Sequence, residues 1–448
     1  MGGSYSCAEE YQDKLISSKV QQSNTTSELK DTLVHTRVFV GTTTALNSNI
    51  ALFQLKQFSL AVIDEASQIL EPHLIPLLSA HYQGVPAIRK FVLIGDHKQL
   101  PAVVQQKEEV SKVYEPLLND ILLSDCRLSL FERLLKKYAH NDDVVYMLRK
   151  QGRMHQDIAL FPNIAFYNGQ LEVVPLPHQL APLPQRHNPS SKPTDRHDSL
   201  SEELRVKSEE SADAIPCMKT DSSFFTLHSS LTSLLQTQRI AFIATQQPED
   251  SPSDKVNLVE AEMIAATVAK IYEIEQPYGF DPDKTVGVIV PYRNQIAAVR
   301  KAIAQQQNKS SLFTLHSSLD SDSSLFTLHS SLENHSPLDS ITIDTVERFQ
   351  GSQRKYILYG FTVQQYYQLN FLTNNQFFDT TDGSIVDRKL NVAMTRAEEH
   401  LIMFGNAELL ANNLTFAKLI DFLRSKQAFF QIDKDDYVAG RFTLPTNL

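Results

Sequence analysis

Short runs of β-branched and apolar residues recur along the chain, and each is followed by a polar turn and then by a helical pattern. These runs are RVFV at 37–40, LAVID at 60–64, FVLIGD at 91–96, VGVIV at 286–290, ITIDTV at 341–346 and HLIMFG at 400–405. Apolar strands that alternate with helices are typical of parallel α/β architecture. We therefore predict an α/β fold whose functional side chains follow the carboxyl ends of the strands.

The composition sets the class of protein. With 448 residues, of which 42% are hydrophobic, the chain is long enough for two domains, each with its own core. The three cysteines, Cys7, Cys126 and Cys217, form no C-x-x-C pair, so neither a zinc ribbon nor a disulfide framework is predicted. No apolar run has the length of a membrane helix, and the polar start lacks a signal-peptide core. We expect a cytoplasmic protein without a membrane partner.

The formal charge of -10 argues mildly against a nucleic-acid partner. Nucleic acid, however, is bound by the local potential of a groove, which the charge of the whole chain does not report. The net charge therefore excludes no partner class here.

Two stretches interrupt the α/β rhythm. The first, near 175–238, begins with a proline-rich segment and continues into a charged, serine-rich one, which is typical of a disordered or loosely packed insertion. The second, near 304–338, contains two copies of SSLFTLHSSL, at 310–319 and 323–332, and the related SSFFTLHSSL lies at 222–231. We interpret the repeats as duplicated low-complexity surface loops; the alternatives are a docking element for a partner or a metal role for their histidines, His228, His316 and His329.

The segment AVIDEASQ at 61–68 is the strongest single signal for chemistry. It places adjacent carboxylates, Asp64 and Glu65, at the end of an apolar strand. One carboxylate of such a pair can hold the Mg²⁺ that bridges nucleotide phosphates, and its neighbour can orient and deprotonate the attacking water. Taken alone, the pair has an equally good structural explanation as charged residues in a solvated turn or at a helix N-terminus.

A second apolar strand ends in a similar way. FVLIGDHKQLPAVV at 91–104 places Gly95 and Asp96 after the strand, followed by Gln99. A glutamine amide can donate and accept hydrogen bonds, so it can sense a γ-phosphate or its bound water. By itself the segment also fits a plain β-turn.

Together these two segments resemble motifs II and III of superfamily 1 helicases, in the branch of the nonsense-mediated-decay helicase and its DNA-replication relatives. The later motifs of that family then follow in the family's order. Segments similar to them are SLFERL at 129–134, LRKQGRMHQDIALFPNIAFYNGQL at 148–171, VGVIVPYRNQ at 286–295 (motif IV), TIDTVERFQGSQ at 342–353 (motif V) and RKLNVAMTRAEEHLIMFGN at 388–406 (motif VI). The resemblance implies two RecA-like parallel-sheet motor domains, the first incomplete at its N-terminal side.

The resemblance also implies a role for each matching residue in the binding and hydrolysis of ATP with Mg²⁺. Arg153 and Arg396 would stabilise charge on the γ-phosphate through their guanidinium groups. Asp64 would hold the metal. The residues implied to hold the nucleotide are Tyr292, Gln295, Gly95 and Asp96. A helix that begins near Pro291 is the purely structural alternative for Tyr292 and Gln295.

Nucleic acid, either RNA or DNA, is the partner that the resemblance implies. The residues that would contact the strand are Thr42, Thr43, Thr44, Thr345, Gln350 and Gly351. Their hydroxyl and backbone N–H groups suit phosphate contacts. Because the chain has no tryptophan, any base stacking must come from tyrosine or phenylalanine.

One family motif has no counterpart. A helicase motor begins with G-x-x-x-x-G-K-[ST], which cradles the phosphates, and no Gly-Lys pair occurs in these 448 residues. Three explanations stay open: a truncated form, a split gene whose partner chain supplies this loop, or a pseudo-helicase that binds nucleic acid as a non-catalytic scaffold. We expect little catalysis from this chain alone, so whether it is an enzyme stays open.

The motif positions define the expected domains. A partial first motor domain would span residues 1–125, a second would span 126–430 with the two insertions, and 431–448 would form a tail. Two residues depart from the family pattern near the site. Gly152 replaces the usual aromatic beside Arg153, which would loosen the position of that arginine, and Gln353 replaces a glutamate of motif V.

Overall fold

The computed structural model describes residues 7–183, 230–246, 251–318 and 336–444, with the backbone alone for 309–318. The two predicted insertions lie partly outside these residues. The serine-rich repeats lie largely outside them, and none of the side chains of their three histidines is described.

The strands of the described residues are short, as expected for an α/β chain. In chain order they are β1 Ala61–Ile63, β2 His81–Tyr82, β3 Val85–Pro86, β4 Phe91–Leu93, β5 Lys150–Gln151, β6 Glu172–Val173, β7 Ile240–Ala244, β8 Val286–Ile289, β9 Thr342–Asp344, β10 Arg354–Gly360, β11 Gln376–Phe378, β12 Ile385–Asp387, β13 Ala397–Gly405 and β14 Phe429–Gln431.

The helices range from single turns to 26 residues. They are α1 Ile16–Gln22, α2 Thr26–His35, α3 Thr43–Ser48, α4 Ile75–Leu78, α5 Glu108–Ser111, α6 Pro116–Asp120, α7 Leu130–Tyr138, α8 Gln156–Phe166, α9 Pro177–Leu180, α10 Ser230–Thr237, α11 Leu258–Glu275, α12 Arg293–Ser318, α13 Val346–Phe349, α14 Gln368–Leu372, α15 Arg388–Met394, α16 Ala407–Leu410, α17 Leu414–Ser425 and α18 Lys434–Ala439. None of the described helices is both long and apolar enough to cross a membrane.

The chain folds into two compact units that alternate along the sequence. Unit 1 consists of Met1–Arg149, Ala165–Asn168 and Asn375–Val392, and unit 2 of Lys150–Ile164, Gly169–Asn374 and Ala393–Leu448. One short segment in the first half of the sequence and one segment near its end therefore fold with the first part. Helix α15 begins in unit 1, and its last two residues belong to unit 2.

Unit 1 contains a parallel pair of strands, β1 and β4, in which Val62 lies opposite Val92. The side chain of Ile63 is buried with Ala66, Leu74 and Leu130, which fixes the turn after β1 against helix α7. Val62 and Val92 themselves remain 57% and 44% exposed. Only one side of this strand pair is therefore packed within the described residues.

The predicted strand at 37–40 does not form. These residues follow α2 without regular structure, and Val38 and Val40 are each 74% exposed. A strand forms only beside another strand, and none of the strands in the described part of unit 1 pairs with this run. β-propensity alone was insufficient here.

Unit 2 contains a six-stranded sheet with the order β14-β7-β13-β10-β8-β9. Every neighbouring pair in it is parallel, which confirms the predicted α/β fold with a parallel sheet. Helices α11 and α12 cover it with residues such as Ile264, Val268 and Val299, all fully buried. Because the strands are parallel, all their carboxyl ends lie at one edge of the sheet and all their amino ends at the other.

Candidate functional site

The two predicted carboxylates of motif II lie in the turn that follows β1 in unit 1. Both Asp64 and Glu65 are exposed. Asp64 Oδ1 accepts a hydrogen bond from the N–H of Glu65 at 3.0 Å, and Glu65 Oε2 accepts one from Gln68 Nε2 at 2.5 Å. The backbone of Glu65 has a φ of 50°, a left-handed conformation that is uncommon for any residue other than glycine. A strained backbone persists only where the surrounding structure holds it in place, and such residues are concentrated at functional sites.

Motif III is joined to motif II through a close backbone approach. A Cβ atom on Gly95 would lie 2.8 Å from the backbone nitrogen of Ser67, a distance that no side chain tolerates. The hydroxyl of Ser67 also accepts a hydrogen bond from the N–H of Asp96 at 3.2 Å. Gly95 is therefore needed for packing, which is a different role from direct contact with a nucleotide.

Asp96 organises the turn that carries Gln99. Its Oδ1 accepts a hydrogen bond from the N–H of Lys98 at 2.9 Å, and its Oδ2 accepts one from Gln99 Nε2 at 3.0 Å. The hydroxyl of Tyr167 donates a further bond to Oδ2 at 2.7 Å. Both oxygens of Asp96 are thus used to hold the proposed sensor glutamine.

Lys98, which the sequence analysis did not single out, is the most deeply placed charge of motif III. Its side chain is 6% exposed, and its ammonium group donates to Asp382, to the Ser384 hydroxyl at 3.0 Å and to the carbonyl of Phe166 at 2.7 Å. Burial would raise the pKa of Asp382, but the hydrogen bonds from Lys98 and Ser384 together outweigh burial and lower that pKa.

Neighbouring His97 forms a hydrogen bond with the same segment. Its Nε2 lies 2.6 Å from Asp379 Oδ2. Burial would raise the pKa of Asp379, but hydrogen bonds from His97 and Thr381 overcome this effect and hold the pKa well below its usual range. The hairpin of β11 and β12 therefore brings two carboxylates to motif III from nearly three hundred residues away.

A hydrogen-bond chain leads from motif III into helix α15. Asn391 Nδ2 donates to the hydroxyl of Tyr167 and to the carbonyl of Lys98, both at 2.8 Å. Tyr167 in turn donates to Asp96, which holds Gln99. Sequence reasoning missed Tyr167 and Asn391 as partners of motif III, since no local pattern connects segments that are far apart in the chain.

In unit 2, the structure brings the two predicted arginines together. Arg153 donates from Nε to Gln353 Oε1 at 2.8 Å and from Nη1 to the carbonyl of Thr395 at 3.3 Å. Arg396, which is 1% exposed, donates to the carbonyl of Ser352 at 3.3 Å and to the hydroxyl of Thr395 at 3.0 Å. Both guanidinium groups thus lie beside the segments that precede β10 and β13, at the amino edge of the sheet.

Tyr292 and Gln295 lie at the other edge, after the carboxyl end of β8. Gln295 is fully buried, accepts a hydrogen bond from the N–H of Asn257 at 2.8 Å and donates to its carbonyl at 2.9 Å. Its amide is therefore hydrogen-bonded inside the fold, and α12 begins at Arg293, close to the helix start that the structural alternative predicted. Tyr292 stacks on Phe371, and burial raises the pKa of its hydroxyl.

The residues predicted to contact nucleic acid are divided among three places. In unit 1, Thr42 caps α3 by accepting a hydrogen bond from the N–H of Ala45, and Thr43 and Thr44 form the first turn of that helix. In unit 2, Thr345 follows the carboxyl end of β9, whereas Gln350 and Gly351 precede the amino end of β10. The residues of motif V therefore lie at opposite edges of the sheet.

The parts of the sequence that contain motifs II to VI also match known protein families. Two sequence profiles of the AAA domain match the chain, one over residues 126–408 and the other over residues 6–107. The chain belongs to the AAA-domain family of superfamily 1 helicases. The first profile alone covers more than half of the sequence, so the family does not depend on a single motif.

Several curated helicases are similar along most of this chain. The DNA polymerase alpha-associated DNA helicase A of Saccharomyces cerevisiae is 26% identical over 85% of the chain and 44% of its own length. The DNA replication ATP-dependent helicase/nuclease DNA2 of Mus musculus is 25% identical over 88% of the chain and 29% of its own length. Helicase sen1 of Schizosaccharomyces pombe is 25% identical over 81% of the chain and 15% of its own length. The chain thus spans less than half of each of these relatives.

Gly152, where the superfamily 1 pattern has an aromatic residue, has open space around it. An added Cβ would meet only the side chain of Leu176, at 3.5 Å, and its φ is not in the left-handed region. We expect Gly152→Ala to stabilise the protein by about 0.4–1 kcal/mol, because alanine restricts the unfolded chain. Urea unfolding followed by circular dichroism measures this effect.

Gly351 provides the matched comparison. An added Cβ would meet nothing within 4 Å, so space is available here as it is at Gly152, but the φ of Gly351 is +80°. Gly351→Ala should therefore destabilise unit 2 by about 1–2 kcal/mol, because the left-handed conformation is unfavourable for alanine. Equal effects of the two substitutions would contradict this account of both positions.

Proposed function

We propose that this chain is the motor portion of an ATP-dependent helicase or translocase that acts on nucleic acid, either RNA or DNA. The observation that carries the proposal is the meeting of Arg153 and Arg396 beside the shared residue Thr395. Guanidinium groups that converge from distant motifs suit an anion with several oxygens, such as a terminal phosphate. The family supports the same assignment, because the related proteins above are named as helicases.

The carboxylates of unit 1 fit the metal-dependent part of this chemistry. Mg²⁺ is usually held by one or two carboxylates together with substrate phosphates, and the exposed Asp64 suits that arrangement. Among the described residues, no cluster of three or more histidine, cysteine or acidic side chains is placed to hold a metal by itself. Asp64 would therefore bind Mg²⁺ together with ATP, and Glu65 would orient and deprotonate the attacking water.

Gln99 is held where it can report on the phosphate. Its amide is bonded to Asp96, which is bonded through Tyr167 to Asn391 in the middle of α15. Arg396 follows shortly after the end of that helix.

A second candidate function is a non-catalytic protein that binds nucleic acid or serves as a scaffold. The observation in its favour is that no Gly-Lys pair occurs in the 448 residues. Phosphate contacts of that kind would have to come from a longer form of the protein or from another chain. Without them, several charge-assisted hydrogen bonds to ATP are lost together.

The decisive experiment measures MgATP hydrolysis by the chain, with and without single-stranded nucleic acid, beside the variant Asp64→Ala/Glu65→Ala. We expect binding of the single strand and of MgATP, but hydrolysis close to the level of that variant, because a motor portion without the phosphate-cradling loop would keep its Asp64 and Glu65 site but lose charge-assisted contacts to the phosphates. Glu109→Gln provides a control for loss of an exposed acidic side chain elsewhere in unit 1. The same samples are tested for strand binding by fluorescence anisotropy.

Each outcome separates the candidates. Strand-stimulated hydrolysis that the double variant lacks and the Glu109→Gln variant keeps would establish a motor and would show that other residues cradle the phosphates. Strand binding without ATP binding or hydrolysis would favour the scaffold for the chain by itself. A chain that binds neither ATP nor single strands would contradict both candidates.

A further inference from the structure

Four aromatic side chains gather at the carboxyl edge of the sheet in unit 2. We call Tyr292, Tyr366, Tyr367 and Phe371 the aromatic platform. Tyr292 follows β8, and the other three lie in the segment that follows β10, the neighbouring strand. Tyr366, Tyr367 and Phe371 are 64%, 56% and 43% exposed, although large aromatic side chains usually bury most of their surface.

Buried amide groups hold the segment that presents these rings. Gln364 Nε2 donates to the carbonyls of Asp254 at 3.1 Å and Val256 at 2.8 Å. Gln368 Nε2 donates to the carbonyl of Asp254 at 2.6 Å, and its Oε1 accepts from the N–H of Gln364 at 2.8 Å. Since both glutamines are almost fully buried, this segment is fixed against the loop before α11.

A second buried contact fixes the point where the segment leaves β10. Thr362 has a φ of 51°, which is strained for a β-branched residue. The carboxyl group of Glu260, which is fully buried, accepts hydrogen bonds from the N–H of Thr362 at 2.9 Å and from its hydroxyl at 3.1 Å. The exposed rings are therefore presented by a fixed framework, which reduces the entropy lost when a flat ligand binds.

We propose that the aromatic platform stacks the bases of a single-stranded nucleic acid, an inference that rests on the proposed function and adds a binding surface to it. The rings of Tyr292 and Phe371 are already stacked, with centroids 5.2 Å apart and planes at 23°. The exposed part of Phe371 allows a further planar ring to extend this stack. Every base has such a face, so stacking of this kind accepts any sequence.

The position of the platform favours a nucleic-acid strand as the occupant. Thr345, which the family resemblance assigns to contact with nucleic acid, follows β9 at the same edge of the sheet. The preceding residue, Asp344, accepts a hydrogen bond at its carbonyl from the N–H of Val290, which follows β8, at 3.1 Å. Arg293, exposed beside Tyr292, supplies a positive charge. Asp254, whose carboxylate accepts a hydrogen bond from the Tyr367 hydroxyl, and Asp344 are acidic and would repel phosphates, so a strand would contact the platform through its bases.

The test compares two probes that differ only in their bases. One is a labelled thymidine oligonucleotide of about 16 nucleotides, and the other is an abasic strand of the same length. We expect Phe371→Leu and Tyr366→Leu to weaken binding of the oligonucleotide roughly 5-fold to 150-fold each, as stacking energies per base imply. Binding of the abasic strand and the slope of affinity against salt concentration should not change.

Control variants separate stacking from folding. Tyr278 is 60% exposed and precedes β8 at the opposite edge of the sheet, so Tyr278→Leu should bind both probes normally. Tyr366→Phe should retain binding because the ring remains. All of these positions are exposed, and melting curves should coincide with that of the unaltered chain.

An introduced tryptophan gives a direct signal. Because the chain has none, Phe371→Trp creates a single fluorophore in the platform. The oligonucleotide should quench its fluorescence, and the abasic strand should not.

Each contrary result has its own meaning. If the leucine variants bind the oligonucleotide as tightly as the unaltered chain, this inference fails, the surface is assigned to a protein partner, and the proposed function is unaffected. An equal loss of affinity for the oligonucleotide and for the abasic strand would also contradict base stacking. If the unaltered chain binds no single strand, this inference and the proposed function fail together.

Discussion

Replacing Lys98 by methionine should destabilise unit 1 by about 3 kcal/mol. Removal of one partner from a buried ion pair leaves an uncompensated charge, and such losses are typically about 3–5 kcal/mol. We expect a loss at the lower end of this range because the side chain of Asp382 is 27% exposed to solvent and Asp379 keeps its hydrogen bond with His97. Hydrogen exchange of the amide groups of unit 1, followed by mass spectrometry, measures this loss without requiring the whole chain to unfold in one step.

Two further variants show whether charge is the cause. Lys112 pairs with Glu108 on the surface, where both side chains are about half exposed, so Lys112→Met should cost less than about 1 kcal/mol. Adding Asp382→Asn to Lys98→Met should recover part of the lost stability, because the uncompensated charge is removed. An additive or larger loss in the double variant would mean that packing of the lysine side chain, and no ion pair, is responsible.

The same substitution bears on function because Lys98 lies next to Gln99. A loosened turn would no longer hold the glutamine against Asp96, even where the fold survives. We therefore expect the exchange rates of the motif III amides to rise more than those of β1, which is anchored separately through Ile63.

The second large effect concerns pH and Glu260. Burial raises the pKa of this carboxyl group to about 8, and hydrogen bonds from Thr362 only partly oppose that shift. The folded state therefore keeps a proton that the unfolded chain loses near the usual pKa of 4.5. The stability that this proton contributes is fully present below pH 4.5. It is lost as the pH rises from 4.5 to about 8, and it is gone above about pH 8.

Glu260→Gln should remove this pH dependence. Between about pH 5 and pH 8, the free energy of unfolding of the unaltered chain should fall relative to the variant by roughly 1.4 kcal/mol per pH unit at most. Urea unfolding of both proteins at each pH gives the difference, which cancels the contributions of other titrating groups. Glu273→Gln, at an exposed position of the same helix, should keep the profile of the unaltered chain. Parallel profiles for the unaltered chain and Glu260→Gln would show that Glu260 is not the source.

Several features of the site followed from local sequence. Strand β1 before Asp64 and strand β4 before Gly95 were predicted from short apolar runs, and both form. The meeting of Arg153 and Arg396 was implied by the order of the family motifs. The two strands needed no knowledge of distant packing, because a motif carries its own strand and turn, whereas the meeting of the arginines came from the family pattern.

Other features had no local signal. Gln295 was predicted to hold a nucleotide, yet its amide is bonded to the backbone of Asn257 within the core. The run at 37–40 has strong β-propensity but lacks a pairing strand among the described residues. The segment that carries the exposed rings of Tyr366 and Phe371 has the sequence of an ordinary amphipathic stretch. Only the folded structure shows that its glutamines are buried and fix it against the loop before α11.

The sequence by itself determined the parallel α/β class, the family and the identity of the charged residues, because each motif is a pattern of neighbouring positions and the motifs follow one another in the family's order. Only the tertiary structure decided which edge of the sheet each motif reaches and which partners each charge receives. Lys98 shows the reason: its carboxylate partner is 284 positions away in the chain, and no local pattern specifies a contact at that separation. Burial and ion pairing depend on the folded surroundings of a group, and the same residue types in another fold would have other neighbours.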